Sequence, residues 1–309
     1  MIPIPLISIS KVPTPVVGTE FIIEVDTTKS GTSNSNQFEF TGAIGEYDVK
    51  AFQSDVEVAS FNDLVNQQTI TLPSSGIYEL RVIPKGTGFD KMTLLIGDKF
   101  KLLKIIQWGL YGVNEPNQTN AFANCENITE IAGSGAWFDV VTEGDSMFLN
   151  IAAASLPSGM NFPNLFNADS MFSFGSLESL PESMELNNLL NGSIMFYSNS
   201  LPSLPESMEL PNLTIGDYMF GFNSLTSLPS GMKLPSLESG IGMFEGNTIN
   251  TERYSQLLID LEAGNNNNNV EFHGGNSKYN ALGEIARNAL IDRGWTIIDG
   301  GLEGPNFNF

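Results

Sequence analysis

Apolar and polar positions in the second half of the chain recur every 24 residues. Met-Phe pairs stand at Met147–Phe148, Met171–Phe172, Met195–Phe196, Met219–Phe220 and Met243–Phe244. Ser-Leu-Pro triplets begin at Ser155, Ser179, Ser203 and Ser227. Between them run apolar columns in the same register: Leu177, Leu201 and Leu225; Leu180, Leu204 and Leu228; Leu165, Leu189, Leu213 and Leu237; Met160, Met184, Met208 and Met232. A globular core has no reason to keep such a register. A solenoid does, because each coil must offer the same apolar residues to the coils above and below it. The pattern therefore predicts stacked coils over residues 112–250, spaced as parallel strands wherever coils pair. A polar column, Asn164, Asn188, Asn212 and then Ser236, is expected to satisfy backbone groups at a turn. An earlier coil, Ala121–Ile128, is shifted in phase by two residues, as a capping repeat can be.

The pattern changes on either side of this block. Residues 20–111 alternate with period two in short runs: Phe21–Val25, Gln37–Phe40, Tyr47–Phe52, Val56–Val58, Thr69–Leu72, Ile77–Ile83 and Lys91–Ile96. Turn clusters such as Lys29–Asn36 separate them, and the set predicts an immunoglobulin-like β-sandwich. Residues 1–19 carry Pro3, Pro5, Pro13 and Pro15 among Ile, Leu and Val. That excludes a helix or a central strand and leaves an extended arm that packs on its own domain or on a neighbouring protein. Residues 251–309 read as an α/β cap and tail. They comprise a helix capped by Thr251, a strand at Val270–His273, a second helix over Tyr279–Arg293 and a last strand at Trp295–Asp299. The whole is mainly β with an α/β cap.

Charge sharpens this picture. The chain of 309 residues has a formal net charge of −21. Gly112–Asn250 hold fifteen acids and one base, Lys233, so the repeat block would repel nucleic acid and anionic membrane. No window is long and apolar enough to predict a membrane span. The N-terminal apolar stretch lacks a basic region and is broken by prolines, so it reads as a poor secretory signal. One cysteine, Cys125, allows no intramolecular disulfide, and the single histidine, His273, falls in a different module. These residues are expected to be a buried thiol and a surface imidazole, not a nucleophile pair.

The Met-Phe…Ser-Leu…Leu-Pro…Met…Leu-Pro-Asn-Leu unit resembles the repeats of BspA-like leucine-rich surface proteins, found in bacteria and in some of their phages. Phe100–Gly109 resembles the segment leading into those repeats. Tyr254–Gly301, with Asn276–Tyr279 and Arg293–Gly301, resembles that family's C-terminal cap. The N-terminal strands are similar to polycystic-kidney-disease-type adhesion modules. The resemblance implies a leucine-rich-repeat solenoid and a surface adhesin or virion accessory protein, with no catalytic residues and no cofactor.

Two sets of residues are candidates for binding. Phe174, Tyr197, Tyr218 and Phe222 occupy variable positions beside the fixed Met-Phe pair, where a repeat scaffold tunes recognition; the alternative is that they fill the wider end of the coil. Asp145, Asp169 and Asp217 share a column, as do Glu182 with Glu206 and Glu185 with Glu209. Such columns are a solvated ladder, a cation site or, formally, a hydrolytic pair. The expectation is a non-enzymatic phage virion protein, a capsid decoration or fibre component. It would attach to a capsid or tail protein through its N-terminal arm and display the repeats to a host-surface glycan or protein. A bacterial cell-surface adhesin is the alternative.

Overall fold

The computed structural model describes residues 18–304, so all but the last two residues of the proline-rich arm, and the last five residues of the chain, lie outside the described residues. The protein is mainly β. An N-terminal mixed β-sheet region is followed by a long stretch with few regular elements but densely buried aromatic residues, and then by two helices.

The first region holds β1 (Phe21–Asp26), β2 (Gln37–Glu39), β3 (Ile44–Gln53), β4 (Val56–Val65), β5 (Thr69–Thr71), β6 (Ile77–Lys91) and β7 (Leu102–Gln107). A six-stranded sheet runs β4-β3-β6-β1-β7-β8, the last being the short strand Glu130–Ile131. β2 and β5 form a separate pair. Alternation places Phe21, Ile23, Val25, Tyr47, Val49, Leu80 and Val82 in the core, joined by Phe38 and Ile70 from the strand pair. β4 and β6 run well past the ends their patterns foretold. β4 extends to Val65 as an edge strand exposed or half-exposed throughout, so burial imposes no alternation on it. β6 passes through Pro84 because β1 pairs only with Ile77–Val82. Beyond that point β6 is bonded on one side, where a missing N–H is harmless.

The strand expected at Lys91–Ile96 does not form. Lys91 ends β6, and Leu94–Ile96 is a 3-10 turn in which Leu94 is buried and its N–H donates to the Ala121 carbonyl of the first coil (3.2 Å). The chain must turn there to deliver Leu94 to that coil. The sheet also crosses into the repeats: β7 pairs in parallel with β8, and Trp108 lies 4.7 Å from Trp137 and 5.6 Å from Phe122.

From Gln118 onward the chain winds in coils of the predicted period. Phe122, Phe148, Phe172, Phe196, Phe220 and Phe244 stack face to face, with centroids 5.4–5.8 Å apart and planes within 3–10° of parallel. Phe122 joins this stack from 26 residues upstream of Phe148, as its shifted phase required. The leucine and methionine columns are buried, apart from Leu180, which is partly covered. Successive coils meet through isolated parallel bridges, such as Asn167↔Asn191 and Asn191↔Ile215, and not through whole strands. Left-handed residues on both sides of the Met-Phe pair interrupt the extended run.

The asparagine column behaves as expected: the Nδ2 groups of Asn164, Asn188 and Asn212 each donate 2.7 Å to a carbonyl of the preceding coil, and Ser236 Oγ does so at 2.9 Å. A second column, Asn199, Asn223 and Asn247, keeps the same spacing. Asn223 Nδ2 donates to the Phe196 (2.9 Å) and Phe220 (3.1 Å) carbonyls, and its Oδ1 accepts from Leu201 N–H (3.1 Å). The carbonyls are shared with Asn199 and Asn247, but among the described residues no other acceptor serves the Leu201 N–H. Asn223→Leu is therefore expected to cost about 2 kcal/mol, the penalty for one orphaned buried donor, read from the urea unfolding midpoint.

α1 (Thr251–Gly264) and α2 (Ala281–Asp292) pack together over the last coil. Asn250, one residue earlier than expected, caps α1 by accepting from Arg253 N–H, and Asn280 caps α2. β9 (Glu271–His273) pairs in parallel with β10 (Thr296–Ile298) and stands where a further coil would follow. Gly240 N–H donates to Glu271 (2.8 Å), and Phe272 packs 6.1 Å from Phe244.

Candidate functional site

Each coil passes its backbone to the next through alternate residues. Gly144, Ser146, Phe148 and Asn150 donate to the carbonyls of Asn167, Asp169, Met171 and Ser173 at 2.8–2.9 Å, and the pattern repeats downstream. A short turn leads into each Met, closed for example by Met219 N–H to the Gly216 carbonyl (3.1 Å). Its third residue has positive φ in every coil: Ser146, Ser170, Ile194, Tyr218 and Gly242, at 52–61°. So does the residue three after the Met: Asn150, Phe174, Ser198, Phe222 and Gly246, at 53–79°.

Glycine and asparagine suit such positions, and the last coil uses Gly242 and Gly246 there. Ile, Phe and Tyr do not suit them. A left-handed backbone costs a residue with a β-carbon about 1–2 kcal/mol. Phe174, Ile194, Tyr218 and Phe222 all bear that cost, and for Phe174, 53% exposed, and Phe222, 46% exposed, burial returns little. Bulky residues kept in a strained conformation without a packing reward point to function.

The four aromatic residues predicted from sequence converge. Tyr197 lies 5.2 Å from Phe174, 6.0 Å from Tyr218 and 5.3 Å from Phe222, with interplanar angles of 66°, 80° and 64°. Phe174, Tyr197 and Tyr218 line a shallow depression of about 250 Å³ together with Ile194, which sequence reasoning passed over. Three rings lie against glycines one coil on, in their own columns. A β-carbon on Gly242 would run into Tyr218, one on Gly221 would lie 3.1 Å from Tyr197, and one on Gly246 3.2 Å from Phe222. An aromatic residue followed 24 residues later by glycine was the signal that could have found this support. The rings do not fill the coil interior, which the Phe196 stack occupies.

The acidic column is built differently. Asp145 Oδ1 accepts from Asp169 N–H (3.2 Å) and its Oδ2 from Asn167 Nδ2 (3.1 Å); Asp217 Oδ1 accepts from Ile241 N–H (3.0 Å) and Ser239 Oγ (2.6 Å). Asp169 accepts from Ser170 Oγ (2.7 Å). Asp145 and Asp217 thus tie one coil to the next, as does Glu206, whose carboxylate is held below its ordinary range by the Ser230 N–H. Among the described residues, no three His, Cys, Asp or Glu side chains come together in a way that could hold a metal ion. Cys125 is fully buried, and burial pushes its thiol pKa up, which keeps it protonated and unreactive. His273 is half-buried in β9 and pairs through its backbone.

Burial holds the Asp145 carboxyl above its ordinary value, helped by the Glu143 and Asp169 charges and opposed by the Asp169 N–H. The folded state therefore holds this proton more tightly than the unfolded chain. The resulting stability is present below the unfolded carboxylate value of about 4 and is lost as pH rises through the higher folded value. Relative to Asp145→Asn, wild-type stability is expected to decline as pH rises above about 4. Urea midpoints measured at increasing pH test this, and a relative stability that rises with pH would contradict it.

Compared with known proteins, the chain matches no family model, no curated protein and no solved structure.

Proposed function

We propose that this chain is a non-enzymatic adhesion protein of a bacteriophage virion, a capsid decoration or fibre component that displays a leucine-rich-repeat solenoid behind an immunoglobulin-like sandwich. The observation that carries the reading is the aromatic patch. Three successive coils present Phe174, Tyr197, Tyr218 and Phe222 at one exposed place, two of them more than 45% exposed and three of them in a backbone conformation that disfavours them. A stacked scaffold with such a patch is suited to holding a surface ligand and not to converting one. The resemblance of the repeat and cap motifs to those of BspA-like surface proteins supports the same reading. So does the engagement of Asp145 and Asp217 in coil-to-coil hydrogen bonds, which gives these acids a structural role.

Mass spectrometry of gradient-purified virions beside surface-shaved host cells tests this reading. Peptides of this chain stoichiometric with capsid protein are the expected result. Peptides on cells alone would replace the virion assignment with a bacterial surface adhesin. In a virion, removal of residues 1–19 is expected to abolish attachment, and retained attachment would sink the docking role of the arm.

A further inference from the structure

We infer that the patch formed by Phe174, Ile194, Tyr197, Tyr218 and Phe222 binds an organic ammonium group, such as a trimethylammonium head carried on a surface polymer. This rests on the adhesion reading and names the chemistry of its ligand.

Ring geometry is the first argument. Phe174 and Tyr218 stand at 66° and 80° to Tyr197, with centroids 5.2 and 6.0 Å away, and the three rings border the depression they share with Ile194. Electron-rich ring faces attract cations, and several rings around one cation add their attraction. An alkylated ammonium also has methyl groups that favour an apolar lining, which Ile194 and the aromatic rings supply. A compact, strongly hydrated inorganic cation gains nothing from such a lining.

Charge is the second argument. The repeat block that carries the patch holds fifteen acids against Lys233 alone. Asp217 immediately precedes Tyr218, and Glu245 stands one coil beyond Gly221 in the column of Tyr197. This field concentrates cations at the surface and repels phosphorylated or carboxylated ligands. A neutral saccharide would gain nothing from it.

Strain supplies the means of testing. Tyr218→Gly and Phe222→Gly remove a ring and, at the same step, place glycine where the last coil already has it. Phe174→Ser introduces the residue type found at Ser198 in the same column. All three are expected to keep the urea unfolding midpoint close to wild type.

The experiment titrates the full chain with tetramethylammonium chloride at constant ionic strength, with sodium chloride as control, and follows the methyl proton resonance. The expected result is a saturable upfield shift, because the methyl groups lie over ring faces, with affinity at least fivefold weaker in Tyr218→Gly and in Phe174→Ser. The absence of a saturable shift, or a shift unchanged in both variants, overturns the proposal. Saturation by methyl glucoside in place of tetramethylammonium also overturns it, leaving a saccharide surface and the adhesion reading intact. Variant-sensitive ammonium binding by a chain found on neither virions nor cells would retain the site and remove the adhesion reading.

Discussion

Lys101→Met is expected to lower the stability of the sheet region by about 3–5 kcal/mol, the usual cost of leaving one member of a buried ion pair behind. Lys101 and Asp98 are both fully buried, 3.3 Å apart, on the 3-10 turn Lys99–Lys101 and the residue before it. Lys101 Nζ also donates to the carbonyls of Ser33 (3.1 Å), Asn34 (3.0 Å) and Gln37 (2.9 Å). Asp98 accepts from the N–H groups of Ser33 (3.1 Å) and Glu39 (2.8 Å). The pair therefore organises the polar loop of residues 29–37, which has no apolar residue to anchor it. Removing the ammonium strands the carboxylate and frees three carbonyls at once. Urea unfolding followed by the fluorescence of Trp108 and Trp137 measures the loss. A change below about 1 kcal/mol would mean that water reaches the site and that the pair is not the anchor of the loop.

Phe196→Ala is the second large effect, also about 3–5 kcal/mol. Its ring lies 5.7 Å from Phe172 and 5.8 Å from Phe220, within 3° and 6° of parallel, and is fully buried. Truncation leaves a cavity between two coils whose backbones are tied by hydrogen bonds on both sides of the stack, so the walls cannot collapse into it. Coil stability is set by nearest-neighbour interfaces, and the loss should concentrate there. Amide exchange is expected to accelerate most at Phe172, Phe196 and Phe220. Phe196→Leu should restore most of the loss, because it conserves shape better. An exchange pattern spread evenly over the chain would contradict a nearest-neighbour array.

Much of the architecture was legible because repetition is a strong signal. A fixed period forces buried columns into line, so the Phe stack, the leucine and methionine columns and the Asn164–Ser236 ladder followed from counting. The α/β elements at the C-terminus followed from caps and periodicity, with boundaries off by one or two residues. Lys101 was not legible: a lysine directly before Leu102 and Leu103 reads as a solvated charge, and only the approach of residues 29–37, far away in sequence, makes it a buried centre. The strand expected at Lys91–Ile96 failed for a similar reason, since Leu94 is claimed by the first coil.

The binding candidates divide in the same way. That Phe174, Tyr197, Tyr218 and Phe222 are variable among fixed neighbours was set by the sequence alone, as was their spread over three successive repeats. That they meet was decided by the tertiary structure, because neighbouring coils bring together residues some 20 to 25 positions apart. The left-handed backbone of Phe174, Tyr218 and Phe222 was likewise set by the hydrogen-bond ladder between coils, a constraint no local propensity reveals. The acidic column was visible in sequence too, but whether Asp145 and Asp217 faced solvent, a cation or the next coil depended on where neighbouring N–H groups pointed. Sequence determines which residues recur, since period is a property of the chain; only the packed coils determine what each recurring residue touches, since contacts and hydrogen-bond directions exist only after the coils have stacked.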